Sequence, residues 1–121
     1  MEERRKQCLL VEDEAIIAMM VSLELKNAGE EVVKTAATAE ESVEYVRNHA
    51  IDVILMDIML KGEVDGVQAA EQIREFSSVP IIFMTAYAER KNDPAVDRVQ
   101  PLGFLTKPIS FPQMKRLIES V

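Results

Sequence analysis

The sequence predicts a single α/β domain with a mainly parallel five-stranded sheet and helices on both of its faces. Short apolar runs of strand length alternate along the chain with segments whose apolar residues recur at helical spacing. Several of these runs are rich in β-branched residues and almost continuously apolar, as expected for parallel strands covered on both sides. The length of 121 residues suits one domain.

The five strands are predicted from the apolar runs. They cover residues 7–11, 31–35, 51–56, 79–85 and 103–106. Each strand is followed by a helical segment, so the connections are crossovers, and right-handed crossovers place helices on both faces of a parallel sheet. In sheets of this kind, ligands bind beyond the carboxyl ends of the strands.

Five helices are predicted from apolar spacing and from capping residues. In the first helix, Ile16, Met20 and Leu23 recur at i, i+4 and i+7, and Gly29 supplies a stop. The other helices begin at cap residues, which are Thr38 with Glu41, Asp65, Asp93 before Pro94, and Ser110 with Gln113. Their apolar positions are Val43, Val46 and Ala50, then Ala69, Ile73 and Phe76, and in the last helix Met114, Leu117, Ile118 and Val121.

The charge and the cysteine content argue against several classes of function. The net charge is -7, from 21 acidic and 14 basic residues, whereas a nucleic-acid-binding domain normally carries a basic face. No run approaches the ~20 apolar residues that cross a bilayer, and one cysteine, Cys8, cannot form an internal disulfide. We therefore expect a soluble cytoplasmic protein that binds neither nucleic acid directly nor a membrane.

Polar residues stand at the carboxyl ends of four predicted strands. Glu12 and Asp13 follow the first strand, Asp57 follows the third, Thr85 ends the fourth and Lys107 follows the fifth. Three carboxylates at one edge repel one another unless a cation compensates them, and Mg²⁺ prefers such oxygen ligands. A lysine and a hydroxyl would complete an anion site beside the metal. The pattern favours phosphoryl transfer to Asp57, which ends a central apolar strand alone.

Five motifs resemble the successive signatures of response-regulator receiver domains of two-component signalling. They are residues 9–14 (LLVEDE), 53–57 (VILMD), 65–66 (DG), 81–86 (IIFMTA) and 103–108 (GFLTKP). The resemblance covers about residues 7–121, so we expect one receiver domain over residues 1–121 with a charged N-terminal tail at residues 1–6. It implies a flavodoxin-like fold with strand order 2-1-3-4-5. It also implies an effector surface on the fourth helix, fifth strand and fifth helix.

The resemblance implies a phosphoacceptor and a metal site. Asp57 would accept a phosphoryl group from a sensor histidine kinase or a phosphotransfer protein. Mg²⁺ (or Mn²⁺) would be held by the carboxylates of Glu12, Asp13 and Asp57 and by the backbone carbonyl of Met59. The domain would be a conformational switch and not an enzyme, although it would assist its own phosphorylation and dephosphorylation.

The resemblance also implies the groups that respond to the phosphate. Lys107 would pair with Asp57 and then with the phosphate, and the Lys107–Pro108 bond would be cis. Thr85 would bond a phosphate oxygen, with Phe104 following it inward. Ala86 would supply the small residue that the phosphoryl group needs beside it.

The chain departs from the commonest receiver pattern near the phosphoacceptor. The interval from Asp57 to Gly66 is one residue longer than usual and lacks the usual proline, which is typical of a longer-loop variant. Met59 and Tyr87 lie where side chains would overlook the phosphoryl group. We hypothesise that the apolar Met59 affects the lifetime of the phosphate, because it cannot position an attacking water. Pro94 is expected to shorten the fourth helix.

The first helix contains a run at residues 15–21 (AIIAMMV) that is almost uniformly apolar. Seven such residues cover about two turns, so some of them must be exposed. The run would serve either as a wide core contact with the last helix or as a docking site for the helical phosphohistidine domain of a kinase. We favour docking, with Met19 and Met20 as the contact residues.

Two other functions are compatible with the sequence. One is a receiver-like scaffold that is never phosphorylated, against which the retention of Asp57 and Lys107 speaks. The other is a phosphohydrolase with an aspartate nucleophile, but such enzymes usually carry a second aspartate where this chain has Met59. Because the receiver fills the chain, we expect its effector to lie on another polypeptide or on a further part of a longer one.

Overall fold

The structure is a computed structural model that describes residues 5–121, and it has the predicted alternation of strands and helices. The strands are β1 Gln7–Val11, β2 Glu31–Ala36, β3 Val53–Asp57, β4 Ile81–Thr85 and β5 Gly103–Thr106. The helices are α1 Ala15–Asn27, α2 Ala39–Asn48, α3 Gly66–Arg74, α4 Pro94–Arg98 and α5 Phe111–Glu119, and a 3₁₀ helix, Ala88–Asn92, precedes α4. Within the described part of the chain, every helix is too short or too polar to cross a bilayer.

The five strands form one parallel sheet in the order β2-β1-β3-β4-β5. This order and the five flanking helices confirm the predicted flavodoxin-like fold. The register aligns the carboxyl ends of neighbouring strands, because Val11 lies opposite Met56 and Asp57 lies opposite Met84. Residues that follow β1, β3 and β4 therefore arrive at the same edge of the sheet.

The core has two layers, one on each face of the sheet. Successive side chains of a strand point to opposite faces, so β3 sends Ile54 and Met56 to one layer and Val53 and Leu55 to the other. The first layer packs against α2, α3 and α4, and the second against α1 and α5. Every residue of β3 and β4 is buried, which explains why these strands are continuous apolar runs in the sequence.

Most differences from the predicted boundaries occur at the ends of elements. β3 begins at Val53 and includes Asp57, and β4 begins at Ile81, just after Pro80, whose ring nitrogen cannot donate to a strand ladder. Ala50 lies beyond α2 and Phe76 beyond α3. In the predicted tail, residues 1–4 lie outside the described residues, while the half-buried Lys6 donates through Nζ to the Ile118 carbonyl at 2.7 Å.

The apolar residues whose spacing predicts helix α1 lie on its solvent-exposed face. Large apolar side chains on this face are 52–75% exposed, namely Ile16, Met19, Met20 and Leu23. The buried side of the helix carries Ala18, Val21 and Leu25 instead. Because the helix is apolar on almost every side, the periodicity identifies a helix but does not distinguish its buried face.

The predicted helix caps are present. Asp65 and Gln68 form a reciprocal capping box at α3, and Ser110 Oγ accepts from Gln113 N–H at 3.3 Å at α5. Asp93 Oδ1 accepts from Ala95 N–H at 2.9 Å, and Pro94 opens a helix of five residues, as expected. At α2, Thr38 accepts from Glu41 N–H as predicted, whereas the Glu41 carboxylate accepts from Ala37 N–H.

Gly66 is required where α3 meets the end of β3. A Cβ at this position would overlap the Asp57 carbonyl oxygen and lie 2.9 Å from Ile58 Cα. Both neighbours are backbone atoms that cannot rotate away. We expect Gly66→Ala to lower the free energy of unfolding by about 2–4 kcal/mol, measured by urea denaturation.

Gly103→Ala is the matched control for this substitution. Its Cβ would meet the Leu117 side chain, which can change rotamer, so the loss of stability should be clearly smaller. Equal losses in the two variants would contradict the proposed backbone constraint at Gly66.

Candidate functional site

The candidate site lies at the edge of the sheet where β1, β3, β4 and β5 end. Glu12, Asp57 and Thr85 are buried there, and Asp13 and Lys107 are half-buried. The backbone N–H of Glu12 donates to the Ala36 carbonyl at 3.0 Å, which holds the residue in line with β1. The structure therefore brings together the polar side chains that the sequence places at the strand ends.

Three carboxylates form an acidic cluster at this edge, contributed by Glu12, Asp13 and Asp57. One oxygen from each lies within 4.8 Å of the other two. Lys107 Nζ donates to Glu12 Oε1 at 2.8 Å and lies 3.4 Å from Asp57 Oδ2. The Lys107–Pro108 peptide bond is cis, as predicted.

The electrostatics of the cluster are set by burial. The pKa of Glu12 is raised to about 7, chiefly by desolvation and also by its hydrogen bond with Asp57, while its hydrogen bond with Lys107 opposes the shift. Burial lowers the pKa of Lys107, but the hydrogen bond to Glu12 and the charge of Asp57 outweigh it, and the pKa is raised overall. Lys107 therefore stays charged.

One lysine charge does not balance three carboxylates. The raised pKa of Glu12 shows that the cluster accommodates its full negative charge poorly. The donor atoms are all carboxylate oxygens within a small volume, a set that suits a hard divalent cation such as Mg²⁺. The residues present thus fit the metal that the sequence predicts.

The longer loop after β3, residues 58–65, folds back over the acidic cluster. Its Met59 N–H donates to Asp57 Oδ1 at 3.2 Å, and its Lys61 N–H donates to Asp13 Oδ2 at 2.9 Å. The dipoles of two backbone N–H groups thus partly compensate the negative charge of these two carboxylates. The Met59 backbone lies beside the cluster, while the Met59 side chain is about half exposed.

The remaining predicted site residues lie on β4, β5 and the segment after β4. Thr85 Oγ1 accepts from Tyr87 N–H at 3.2 Å, and the Thr85 carbonyl accepts from Lys107 N–H at 2.7 Å. Ala86 and Tyr87 are exposed. Phe104 is half-buried against the core.

Arg90 borders the site, and sequence reasoning did not identify it. Its guanidinium lies 3.4 Å from Met59 Sδ, 3.4 Å from Asp65 Oδ2 and 3.6 Å from Asp93 Oδ2. Asp65 and Met59 precede it by 25 and 31 positions, so no short-range sequence pattern indicates these contacts. The available signal was the position of Arg90 shortly after Thr85 and near a predicted cap, Asp93.

The chain matches the response regulator receiver domain family over residues 8–119. It belongs to this family.

Two curated relatives are transcriptional regulators. PdtaR of Mycobacterium tuberculosis is 32% identical over 117 residues, covering 94% of this chain and 55% of that protein. YvrH of Bacillus subtilis is 33% identical over 102 residues, covering 84% of this chain and 43% of that protein. The chain spans about half the length of these relatives.

Solved receiver domains have the same fold. The signal receiver domain of a modulated diguanylate cyclase from Desulfovibrio desulfuricans matches with a TM-score of 0.88 and 32% identity, over 97% of this chain and 93% of that one. The receiver domain of PhyR from Erythrobacter litoralis matches with a TM-score of 0.83 and 32% identity, over 96% and 88%. The chain is thus a response regulator receiver domain of two-component signalling.

The raised pKa of Glu12 makes the stability of the receiver depend on pH. Glu12 binds its proton more tightly in the folded state than in the unfolded state, where its pKa is 4.5. Without divalent cations, stability should therefore fall as the pH rises from about 4.5 to about 7, by at most roughly 1.4 kcal/mol per pH unit.

Urea denaturation in a chelating buffer between pH 5 and pH 8 measures this dependence. Glu12→Gln removes the titrating group and keeps its shape, so its stability should change less over this range. The same pH slope in both proteins would show that Glu12 is not the group responsible.

Proposed function

We propose that this receiver is a phosphorylation-dependent switch in which Asp57 accepts a phosphoryl group from a sensor histidine kinase or a phosphotransfer protein. The observation that carries the proposal is the acidic cluster with Lys107 at the carboxyl edge of the sheet. Asp57 belongs to the cluster, ends a central strand and contacts the lysine. A cytoplasmic location, where such kinases act, stays a prediction.

The proposed transfer is a nucleophilic substitution at phosphorus. A carboxylate oxygen of Asp57 attacks the phosphorus of a phosphohistidine, an O–P bond forms and the N–P bond breaks. The imidazole leaves with the bonding electron pair and takes up a proton. Lys107, 3.4 Å from Asp57 Oδ2, compensates the charge on the phosphoryl oxygens, and the Thr85 hydroxyl bonds one of them.

Mg²⁺ (or Mn²⁺) is the proposed cofactor. Glu12, Asp13, Asp57 and the Met59 carbonyl would hold it, since the three carboxylates already converge and the Met59 backbone lies beside them. When bound, the metal neutralises charge on the phosphoryl oxygens and lowers the repulsion between them and the carboxylates. The domain is proposed to assist its own phosphorylation without acting as an enzyme on other substrates.

The output is proposed to come from the face formed by α4, β5 and α5. Phosphorylation adds roughly -1.5 to -2 charges and attracts Lys107 and Thr85. These two residues are already joined by the hydrogen bond from Lys107 N–H to the Thr85 carbonyl, so the ends of β4 and β5 respond together. Ala86 leaves room beside the phosphoryl group, and Phe104 follows Thr85. A downstream effector would bind the altered face.

The exposed apolar face of α1 is proposed to dock the kinase. Ile16, Met19, Met20 and Leu23 are at i, i+3, i+4 and i+7, so they form one stripe along the helix. The stripe begins three residues after Asp13, next to the acidic cluster. Methionine side chains are flexible and adapt to the surface of a partner helix. A helical phosphohistidine domain would be a partner of this kind.

Asp57→Asn should abolish phosphorylation. We expect wild type to gain the mass of one phosphoryl group when incubated with Mg²⁺ and acetyl phosphate, in an adduct that resists acid and is lost in base. Intact mass spectrometry detects the adduct, and a chelator should prevent it. No adduct from acetyl phosphate or from a phosphorylated kinase would favour the scaffold, and sustained turnover of phosphate esters would favour the phosphohydrolase.

Met19→Ser and Met20→Ser should slow phosphotransfer from a histidine kinase that phosphorylates wild type, by about tenfold for the better-placed residue. The rate with acetyl phosphate should not change, because this small donor needs no docking surface. Phe76→Ser is the matched control, since Phe76 is also exposed and apolar but follows α3, on the other face of the sheet. Equal effects on both donors would contradict docking at α1.

A further inference from the structure

Arg90 connects the two loops that flank Asp57. It lies in the 3₁₀ helix after β4, and its partners Met59 and Asp65 belong to the loop after β3. β3 and β4 are neighbours in the sheet, so the contact spans the edge where Asp57 is placed. Its side chain is 26% exposed, which makes it a partly buried connection.

Both aspartates that pair with Arg90 are helix N-caps. Asp65 Oδ1 accepts the cap hydrogen bond of α3, and Asp65 Oδ2 pairs with Arg90. In the same way, Asp93 Oδ1 caps α4 and Asp93 Oδ2 pairs with Arg90. Both carboxylates lie within 3.6 Å of the same guanidinium nitrogen. They would repel each other without it, so Arg90 holds the first turns of α3 and α4 in a fixed relation.

Met59 extends this connection to the phosphoacceptor. Its backbone N–H donates to Asp57 Oδ1, while its Sδ lies 3.4 Å from Arg90 Nη1. A half-exposed methionine would otherwise sample several rotamers. The guanidinium therefore restrains the side chain of Met59, whose backbone N–H is hydrogen-bonded to Asp57.

We propose that Arg90 is a positioning residue that prolongs the lifetime of the acyl phosphate on Asp57. This inference rests on the proposed function. In hydrolysis, a water oxygen attacks phosphorus, the bond from phosphorus to the Asp57 oxygen breaks, and the water loses a proton as inorganic phosphate departs. By joining the two loops and restraining Met59, Arg90 limits the approach of that water.

Arg90→Gln tests the inference. The purified domain is phosphorylated with acetyl phosphate and Mg²⁺, the donor is removed, and loss of the adduct is followed by intact mass. We expect the variant to be phosphorylated and to lose the adduct about two- to fivefold faster than wild type. Arg90→Lys keeps the charge and should recover part of the lifetime, although an ammonium cannot reproduce the planar fork.

Substitution of the aspartates separates this role from a general effect of charge or stability. Asp65→Asn and Asp93→Asn keep a capping oxygen but lose the ion pairs, so the double variant should also shorten the lifetime, and adding Arg90→Gln should shorten it little more. Arg98→Gln is the matched control. Arg98 of α4 also pairs with an acid of α3, Glu71, but both side chains are largely exposed, and such a surface pair contributes little, so this variant should leave the lifetime unchanged.

Each outcome bears on one proposal. An Arg90→Gln adduct with the wild-type lifetime, or equal acceleration by Arg98→Gln, would overturn the role of Arg90 and leave the proposed function intact. Independent, additive effects of the arginine and aspartate substitutions would also overturn it. Failure of wild type to form any adduct would contradict the proposed function itself.

Discussion

The convergence of three carboxylates at one edge of the sheet, two of them in contact with Lys107, is the constraint around which the rest of the domain is arranged. Buried acids are costly unless they are compensated, and Glu12 shows this cost in its raised pKa. The sheet can place them together because β1, β3 and β4 are held in register by continuous apolar contacts on both faces. The favourable packing free energy of the two core layers thus offsets the unfavourable free energy of clustering acids at this edge.

The sequence predicts the fold and the centre of the site because both follow from local rules. Strands buried on both faces must be apolar throughout, and the residue that follows such a strand must lie at its carboxyl end, which locates Asp57 and Lys107. The buried face of α1 did not follow, because the helix is apolar on nearly every side and only the sheet decides which side is covered. Arg90 was missed because its partners come from a loop 25 or more positions away.

The longer loop after β3 compensates charge in a way that does not depend on side-chain type. Its backbone N–H groups at Met59 and Lys61 donate to Asp57 and Asp13, and a backbone donor has a fixed direction set by the path of the chain. That path is fixed in turn by the close approach of Gly66 to the end of β3. The extra residue and the glycine therefore act together on the acidic cluster.

Two cations connect the site with different elements of the fold. Lys107, from the end of β5, contacts Glu12 and Asp57, whereas Arg90 joins the caps of α3 and α4. Lys107 contacts Asp57 directly, whereas Arg90 is linked to Asp57 through Met59, whose N–H donates to Asp57 Oδ1 and whose Sδ lies beside the guanidinium. We therefore expect the position of β5 to follow the charge of the site, and the proposed role of Arg90 predicts that the loops after β3 and β4 set how long that charge persists.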